Sequence, residues 1–319
     1  MNRFFRSRPF SHHVPRALLS LAMLCVPIAH AADTVVLKVG DQQFQTRGVL
    51  EASGQLKDVP YQIEWFNFPA AQPLGEALNA GAVDLGGLGD APTIFAYAAG
   101  AHVRVVAATR SQPIDLAIVV PENSPIKTPA DLKGRRVATT RGSIGHFLLI
   151  ATLEHAGLKL SEIKLEFLQP SDAKAALASG SVDAWSTWDP YVALGELRDH
   201  DRSIADGVGL SSGLSFQVAT DDAIKTKHAV LDDFLRRIAA GQRWALSHPQ
   251  QVAAMQSRVT GLPPEVLEVV YQRAQLHPVK IDDGVIAEQQ RTANIYERAG
   301  VIPAHLDIGP GFDRQFATP

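Results

Sequence analysis

Apolar and polar residues follow two rhythms along this chain. Short β-rich runs read as strands: "TVVLKVG" at 34–40, "YQIEWFNF" at 61–68, "VDLGGLG" at 83–89, "VRVVAAT" at 103–109 and "LAIVV" at 116–120. Between them, "PLGEALNAG" and "PTIFAYAAG" carry helical spacing and end on glycine, where a left-handed cap is expected. Alternation of strand and helix at this interval predicts parallel sheets with helices on both faces.

A polar, proline-rich break, "PENSPIKTPADLKG" at 121–134, interrupts the pattern, which then restarts. "RRVATT" reads as a strand, "GSIGHFLLIATLEHAG" as a loop entering a helix, "IKLEFLQ" as a strand, "SDAKAALASG" as a helix and "VDAWSTW" as a strand. The first half has the same order. Its best-preserved end is "LNAGAVDLGGLGD" at 78–90, which recurs 99 residues later as "LASGSVDAWSTWD" at 177–189. A βαβαβ unit is therefore present twice, with Gly86 and Gly89 of the first copy replaced by Trp185 and Trp188 in the second.

After "GLSFQVAT" at 213–220 the pattern turns helical. "HAVLDDFLRRIAAGQRWALSH" places Leu231, Phe234, Leu235, Ile238 and Ala245 on one stripe, and two further helices follow at "PPEVLEVVYQRAQ" and "IAEQQRTANIYERAG". These three should pack back on the first unit. The expected architecture is α/β with two lobes: 32–117 plus 217–319, and 118–216, joined by crossings near 117 and 216.

Residues 1–31 are set apart from this plan. Arg3, Arg6, Arg8 and Arg16 precede the apolar "ALLSLAMLCVPIA" and then "AHA", the layout of an export signal cleaved before Ala32. Without it, Lys+Arg falls from 30 to 26 against 33 Asp+Glu, a net charge of about −7. That disfavours nucleic acid or an anionic membrane as a partner through bulk charge. The single cysteine leaves as well, so burial alone must hold the remaining chain. A periplasmic location and a monomer are expected.

Two facing α/β lobes leave a cleft at the carboxyl ends of their strands. "TTRGSIGH" could hold an anion there: Gly142, Ser143 and Gly145 allow backbone N–H groups to approach it, and Ser143 and His146 add donors. The same loop also fits an ordinary serine-capped turn. Asp90 and Asp189 fit helix N-caps, the second with Pro190 in the first helical position, and both could reach the cleft rim. Bare backbone at Gly86 and Gly89 against Trp185 and Trp188 suits a small ligand with an anionic head and an alkyl tail; the rings could equally fill core. Nothing in the spacing points to a metal, a cofactor or a catalytic nucleophile.

Together with the export signal, "LGEALNAGAVDLGGLGDAPTIFAYAAGA", "PENSPIKTPADLKGRRVA", "GSIGHFLLIATLEHAGL" and "ALASGSVDAWSTWDPY" resemble the substrate-binding proteins of aliphatic sulfonate ABC importers, with taurine, sulfate-ester and nitrate binders as near relatives. The resemblance implies a type II periplasmic binding protein. It would capture a sulfonate or sulfate ester and deliver it to an inner-membrane permease with its ATPase, without catalysis. Carried over, the head-group loop is Arg141, Gly142, Ser143, Gly145 and His146, facing Gly89 with Asp90 and Trp188 with Asp189. The first-strand loop, Gln42, Gln43 and Phe44 up to Gln45, departs from the smaller residues usual there, which leaves the ligand's identity open. A nitrate or thiamine-precursor binder, or a small-molecule lyase, are the competing expectations.

Overall fold

The computed structural model describes residues 34–303 and 305–316; the expected export signal lies outside the described residues. The first unit runs β1 (Val36–Gln42), α1 (Gln45–Ala52), β2 (Gln62–Phe68), α2 (Ala71–Asn79), β3 (Leu85–Gly89), α3 (Asp90–Ala98) and β4 (Val103–Arg110). The second runs β5 (Leu116–Pro121), β6 (Arg136–Thr139), α4 (Ile144–His155), β7 (Lys164–Phe167), α5 (Pro170–Ala178) and β8 (Ala184–Trp188). It ends with α6 (Tyr191–Leu194), which continues as a π-helical turn, and β9 (Asp201–Asp206). Then come β10 (Leu214–Thr220), α7 (Asp221–Thr226), α8 (His228–Ser247), α9 (Pro249–Thr260), α10 (Pro264–Ala274), β11 (His277–Val279) and α11 (Asp283–Arg298).

Two sheets result, ordered β11-β4-β10-β3-β1-β2 and β7-β6-β8-β5-β9. The chain leaves the first sheet after β4 and returns to it at β10, so it crosses twice, over 111–115 and 207–213. The sheets are mixed, not parallel as the alternation predicted. Strands β1, β2 and β3 are parallel, as are β6, β7 and β8, but the strands next to the crossings run antiparallel: β10 to β3 and β4, and β5 to β8 and β9. A direct crossing between sheets has no helix to carry the chain back, which removes the constraint toward parallel pairing.

The repeat is visible in the hydrogen bonds. Asp84 accepts from the Lys38 amide at 2.7 Å and returns its own amide to the Lys38 carbonyl. Asp183, 99 residues on, does the same with Arg136, accepting its amide at 2.8 Å. The Asp of each "VD" therefore locks the start of one strand to its neighbour. That is why this residue survives in both copies while the strand interiors diverge.

Each sheet has apolar clusters on both faces. Leu74, Leu88, Ile94 and Phe216 lie on one face of the first sheet, and Leu37, Leu50, Phe234 and Ile238 on the other. Ile118, Val137, Leu148 and Leu149 form one core of the second sheet, and Ala117, Val119, Leu177 and Trp185 the other. Helix α4 is apolar around its circumference, and every residue from Gly145 to Leu153 is buried. Its Phe147 and Ile150 reach the cluster of the first sheet, so one helix serves both cores.

Of the long carboxyl-terminal helices, α8 packs on the first sheet's side, against α1 and β11, whereas α11 contacts α4 of the second unit as well as α3 of the first, and α10 contacts α6 of the second. The segment is not wholly helical, since β11 adds an edge strand to β4. The pattern also gave no warning of α9 or of β9, whose sequence DRSIAD is polar at four of six positions. Among the described residues no helix is long and apolar enough to cross a membrane.

Candidate functional site

A cavity of about 260 Å³ lies between the two sheets and the carboxyl-terminal helices. The amino ends of α1, α3 and α4 open on it through Gln45 and Thr46, Asp90 and Pro92, and Ser143 and Ile144. Strands β1, β3 and β6 run toward these helices, so their carboxyl ends converge at one place. Each helix there exposes amide hydrogens and the positive end of its dipole.

Six expected residues line the cavity: Gln42, Gly89, Asp90, Ser143, Trp188 and Asp189. Seven do not. Arg141 is exposed and lies over the Phe167 ring, its guanidinium carbon 3.8 Å from the centroid. Gly142 takes a left-handed φ of 70° under the Phe95 ring, which is why glycine stands there. Gly145 is pressed onto β8: a methyl group would lie 2.6 Å from the Ser186 carbonyl oxygen. His146 is buried among Phe95, Phe167 and Tyr296, with Nδ1 accepting from the Gly142 amide at 3.3 Å. Burial, with the Arg141 charge second, lowers its pKa to about 4, so the ring stays neutral. It is packed as a core histidine and does not line the cavity, although its buried Nε2 has no hydrogen-bond partner among the described residues.

The two tryptophans separate. Trp185 is 2 % exposed and packs against Ala173, Leu177 and Tyr191, so it fills the second core. Trp188 lines the cavity and meets Tyr191 edge to face at 5.9 Å. Their glycine counterparts divide the same way, because strand residues three positions apart face opposite sides. Gly86 makes room for Leu74. Gly89 lines the cavity, but a methyl group there would lie 2.7 Å from Ile144 of the other half. Bareness at Gly89 therefore serves the approach of the two halves.

Ser143 is the N-cap of α4: its hydroxyl donates to the Thr140 carbonyl at 2.7 Å and accepts from the His146 amide at 3.1 Å. What the loop offers the cavity is backbone at Ile144, whose amide donates to no acceptor among the described residues; the Gly145 amide is also unpaired, but that residue does not line the cavity. The N-cap expectation for the two aspartates needs a one-residue correction. Gly89 caps α3 and Pro190 caps α6, while Asp90 is the first residue of α3. Asp90 accepts from the Ala91 amide at 2.7 Å and the Ser212 hydroxyl at 3.1 Å, and Asp189 from the Ala193 amide at 3.0 Å. Burial raises both carboxyl pKa values to about 6.

Gln43 and Phe44 both adopt left-handed backbone at the turn from β1 into α1. Neither lines the cavity, but Gln43 joins the two halves beside it, its amide nitrogen donating to the Tyr191 hydroxyl at 2.6 Å and the Pro69 carbonyl at 3.2 Å. Other bonds tie the halves together: Arg273 with Asp189 at 3.2 Å and Glu196 at 2.9 Å, Tyr296 to the Ser143 carbonyl at 3.2 Å, and Arg198 with Glu265.

Sequence reading missed much of the lining. Asp41, Asp115, Gln217, Gln242, Gln256 and Tyr271 all contribute. Two carried a signal: Gln242 continues the apolar stripe of α8 one turn past Ile238, and Gln217 sits inside the apolar run of β10. A polar side chain on a buried face needs a partner, and a cavity can provide one. Asp41 accepts from the Thr46 and Arg47 amides at 3.0 and 2.9 Å, although burial lifts its pKa to about 6.

Residues 69–252, more than half of the chain, match the family described as NMT1/THI5 like. The chain belongs to that family. Its fold is the two-sheet α/β fold of periplasmic binding proteins. Among solved structures the chain is similar to the periplasmic aliphatic sulphonate binding protein SsuA of Escherichia coli, 37% identical, with a TM-score of 0.78 over 86% of this chain and 91% of that one. The alkanesulfonate-binding protein SsuA of Xanthomonas axonopodis pv. citri, bound to MOPS, is 32% identical with a TM-score of 0.81 over 89% of this chain and 100% of that one. The desulfurization enzyme DSZB shares the fold at 18% identity, TM-score 0.63. The fold by itself thus accommodates both binding and catalysis.

Proposed function

We propose that this protein is the substrate-binding component of an ABC import system, capturing alkanesulfonates or related organosulfur anions and delivering them to an inner-membrane permease with its ATPase. The observation that carries this reading is the cavity onto which helix amino ends converge, with an unused amide at Ile144, which lines it. A sulfonate spreads one charge over three acceptors, and each charge-assisted N–H bond to it is worth about 1.5–3 kcal/mol. Names of relatives at 37% and 32% identity support the same substrate class.

In this reading the expected lobes, 32–117 plus 217–319 and 118–216, shift their bounds by a few residues to the crossings at 111–115 and 207–213, because β5 belongs to the second sheet and β10 to the first. The strapping bonds between the lobes hold the closed state. Ligand touching both walls shifts an open population toward closure, the form a permease would recognise. The chain would be exported to the periplasm with residues 1–31 removed, and would act as a monomer. The engaged side chains favour binding over catalysis: Ser143 donates to a carbonyl and His146 accepts from an amide, so they make no nucleophile–base pair.

Calorimetry of the purified chain against alkanesulfonates, sulfate esters, nitrate and pyrimidines tests the proposal. Saturable binding of a sulfonate, recovered unchanged by mass spectrometry, is the expected result. Preference for nitrate or a pyrimidine, or conversion of the ligand, would replace it.

A further inference from the structure

The turn that precedes the Ile144 amide is held from outside the cavity. Apart from the Ser143 hydroxyl, two contacts fix its backbone. The Gly142 amide donates to His146 Nδ1 at 3.3 Å, and the Ser143 carbonyl accepts from the Tyr296 hydroxyl at 3.2 Å. His146 and Tyr296 also meet each other, with ring centroids 5.8 Å apart.

His146 is 1 % exposed, and both halves of the molecule cover it. Phe167 of β7 meets it edge to face at 5.1 Å, while Phe95 of α3 at 6.4 Å and Tyr296 of α11 come from the other half. Because Nδ1 is an acceptor, the neutral ring carries its proton on Nε2, and that buried atom has no hydrogen-bond partner. An apolar side chain would fill this space without an unpartnered donor, but it could not accept from Gly142. A second proton, on Nδ1, would face the Gly142 N–H, setting two donors against each other. The turn is therefore compatible only with the uncharged ring.

We propose that His146 is a positioning residue of the anion site: its neutral ring fixes the Gly142–Ser143 turn so that the Ile144 amide is presented to the cavity, and this arrangement assembles as the halves close. The proposal rests on the reading of the cavity as a sulfonate site. Closure and the loss of one proton are then linked. With the halves apart the ring meets water and titrates at its ordinary value of about 6.5. In the closed structure burial, then the Arg141 charge, lowers this to about 4. Between those values the closed chain holds fewer protons than the open one, so falling pH opposes closure. Few charges face the ring: Arg141 from the loop, and Tyr296 on α11, with Asp90 of α3 acting on Tyr296. Glu154 and His155 on α4 and Glu166 on β7 are exposed.

The test uses propane-1-sulfonate as the probe and follows the His146 ring by NMR, assigned through its contacts with the Phe167 and Tyr296 rings. Without ligand the ring should titrate at about 6.5, and with saturating ligand it should stay neutral down to about pH 5. Titration unchanged by the ligand overturns the proposal. Calorimetry supplies a second readout. His146→Leu, with no acceptor for Gly142, should bind the probe about fivefold to tenfold more weakly at pH 7.5, and His146→Asn, which restores an acceptor, should recover most of that loss. The Asn variant should also retain about tenfold more of its affinity between pH 7.5 and pH 5 than the parent does, since its side chain takes no proton. Asp41, Asp90, Asp115 and Asp189 gain protons in the same range in both chains and cancel from that comparison. Equal losses for Leu and Asn, or equal pH dependence for parent and Asn, count against the proposal. Absence of probe binding at every pH overturns the sulfonate reading and this inference with it; binding without a histidine response overturns the inference alone. Should the variants fold poorly, the NMR titration of the unaltered chain decides the matter.

Discussion

The Gln43 side-chain amide donates to the Tyr191 hydroxyl at 2.6 Å, linking the turn after β1 to the start of α6 beside Gln42 and Pro190, which line the cavity. Gln43 holds this position through a left-handed backbone, and its own carbonyl accepts from Gln256 at 3.2 Å. Burial raises the Tyr191 pKa, so its hydroxyl keeps its proton and remains a neutral partner for the amide. Tyr191→Phe removes this bond and keeps the ring against Trp188. Ligand release should then accelerate about fivefold to tenfold, the effect of one hydrogen bond, as read by stopped-flow fluorescence. An unchanged release rate would show that the strap carries no closure energy.

Ser143 and Gly145 should affect stability more than recognition. Ser143→Ala removes the cap of α4 and should lower folding stability by about 1 kcal/mol in urea denaturation. Its ligand affinity should change far less than its midpoint, because the hydroxyl faces Thr140 and His146. Gly145→Ala drives a methyl group toward the Ser186 carbonyl and should cost about 1–3 kcal/mol.

The two tryptophans predict opposite phenotypes. Trp185→Ala should destabilise by about 3–5 kcal/mol as a core truncation. Trp188→Ala should leave the melting temperature nearer the parent and weaken long-chain ligands more than methanesulfonate. Equal losses across chain lengths would mean that the Trp188 ring does not contact the tail.

Stability of the ligand-free chain should carry an unusual pH signature. Asp41, Asp90 and Asp189 have pKa values raised to about 6 and Asp115 to about 7, all by burial first. Between about pH 4 and these values the folded chain binds more protons than the unfolded chain, so these groups make stability fall as pH rises through that window. Asp183, lowered by its bond to Arg136, opposes them below its ordinary range. Asp115 is faced by Asp189, Asp90 and Arg273, and Asn at this position should remove its share. The variant should melt about 3–6 °C above the parent at pH 7.5 and level with it at pH 4. A shift of equal size at both pH values would mean that Asp115 does not titrate in this window.

Much of the fold was written in local pattern. Strands β3 and β8 occupy the same register of the repeated segment, 99 residues apart, because alternation, terminal glycines and the "VD" step each act within a few residues. The placement of Ser143 before α4 was equally legible, since an N-cap is a contact three residues long. The direction of β10 was not, nor was the existence of β9, because pairing partners for polar edge strands come from distant chain.

The division was sharper at the site. Sequence alone fixed which loops end at the carboxyl edges of the strands, and so which residues were candidates. Only the tertiary structure decided that His146 turns into a core while Ile144 faces the cavity, and that Trp185 and Trp188 part company. It alone brought Asp115 beside Asp189 and set Gln242 with a carbonyl lacking a donor. The physical reason is one of range. Capping and alternation are decided by neighbours along the chain, whereas burial and the field at a carboxylate are decided by neighbours in space.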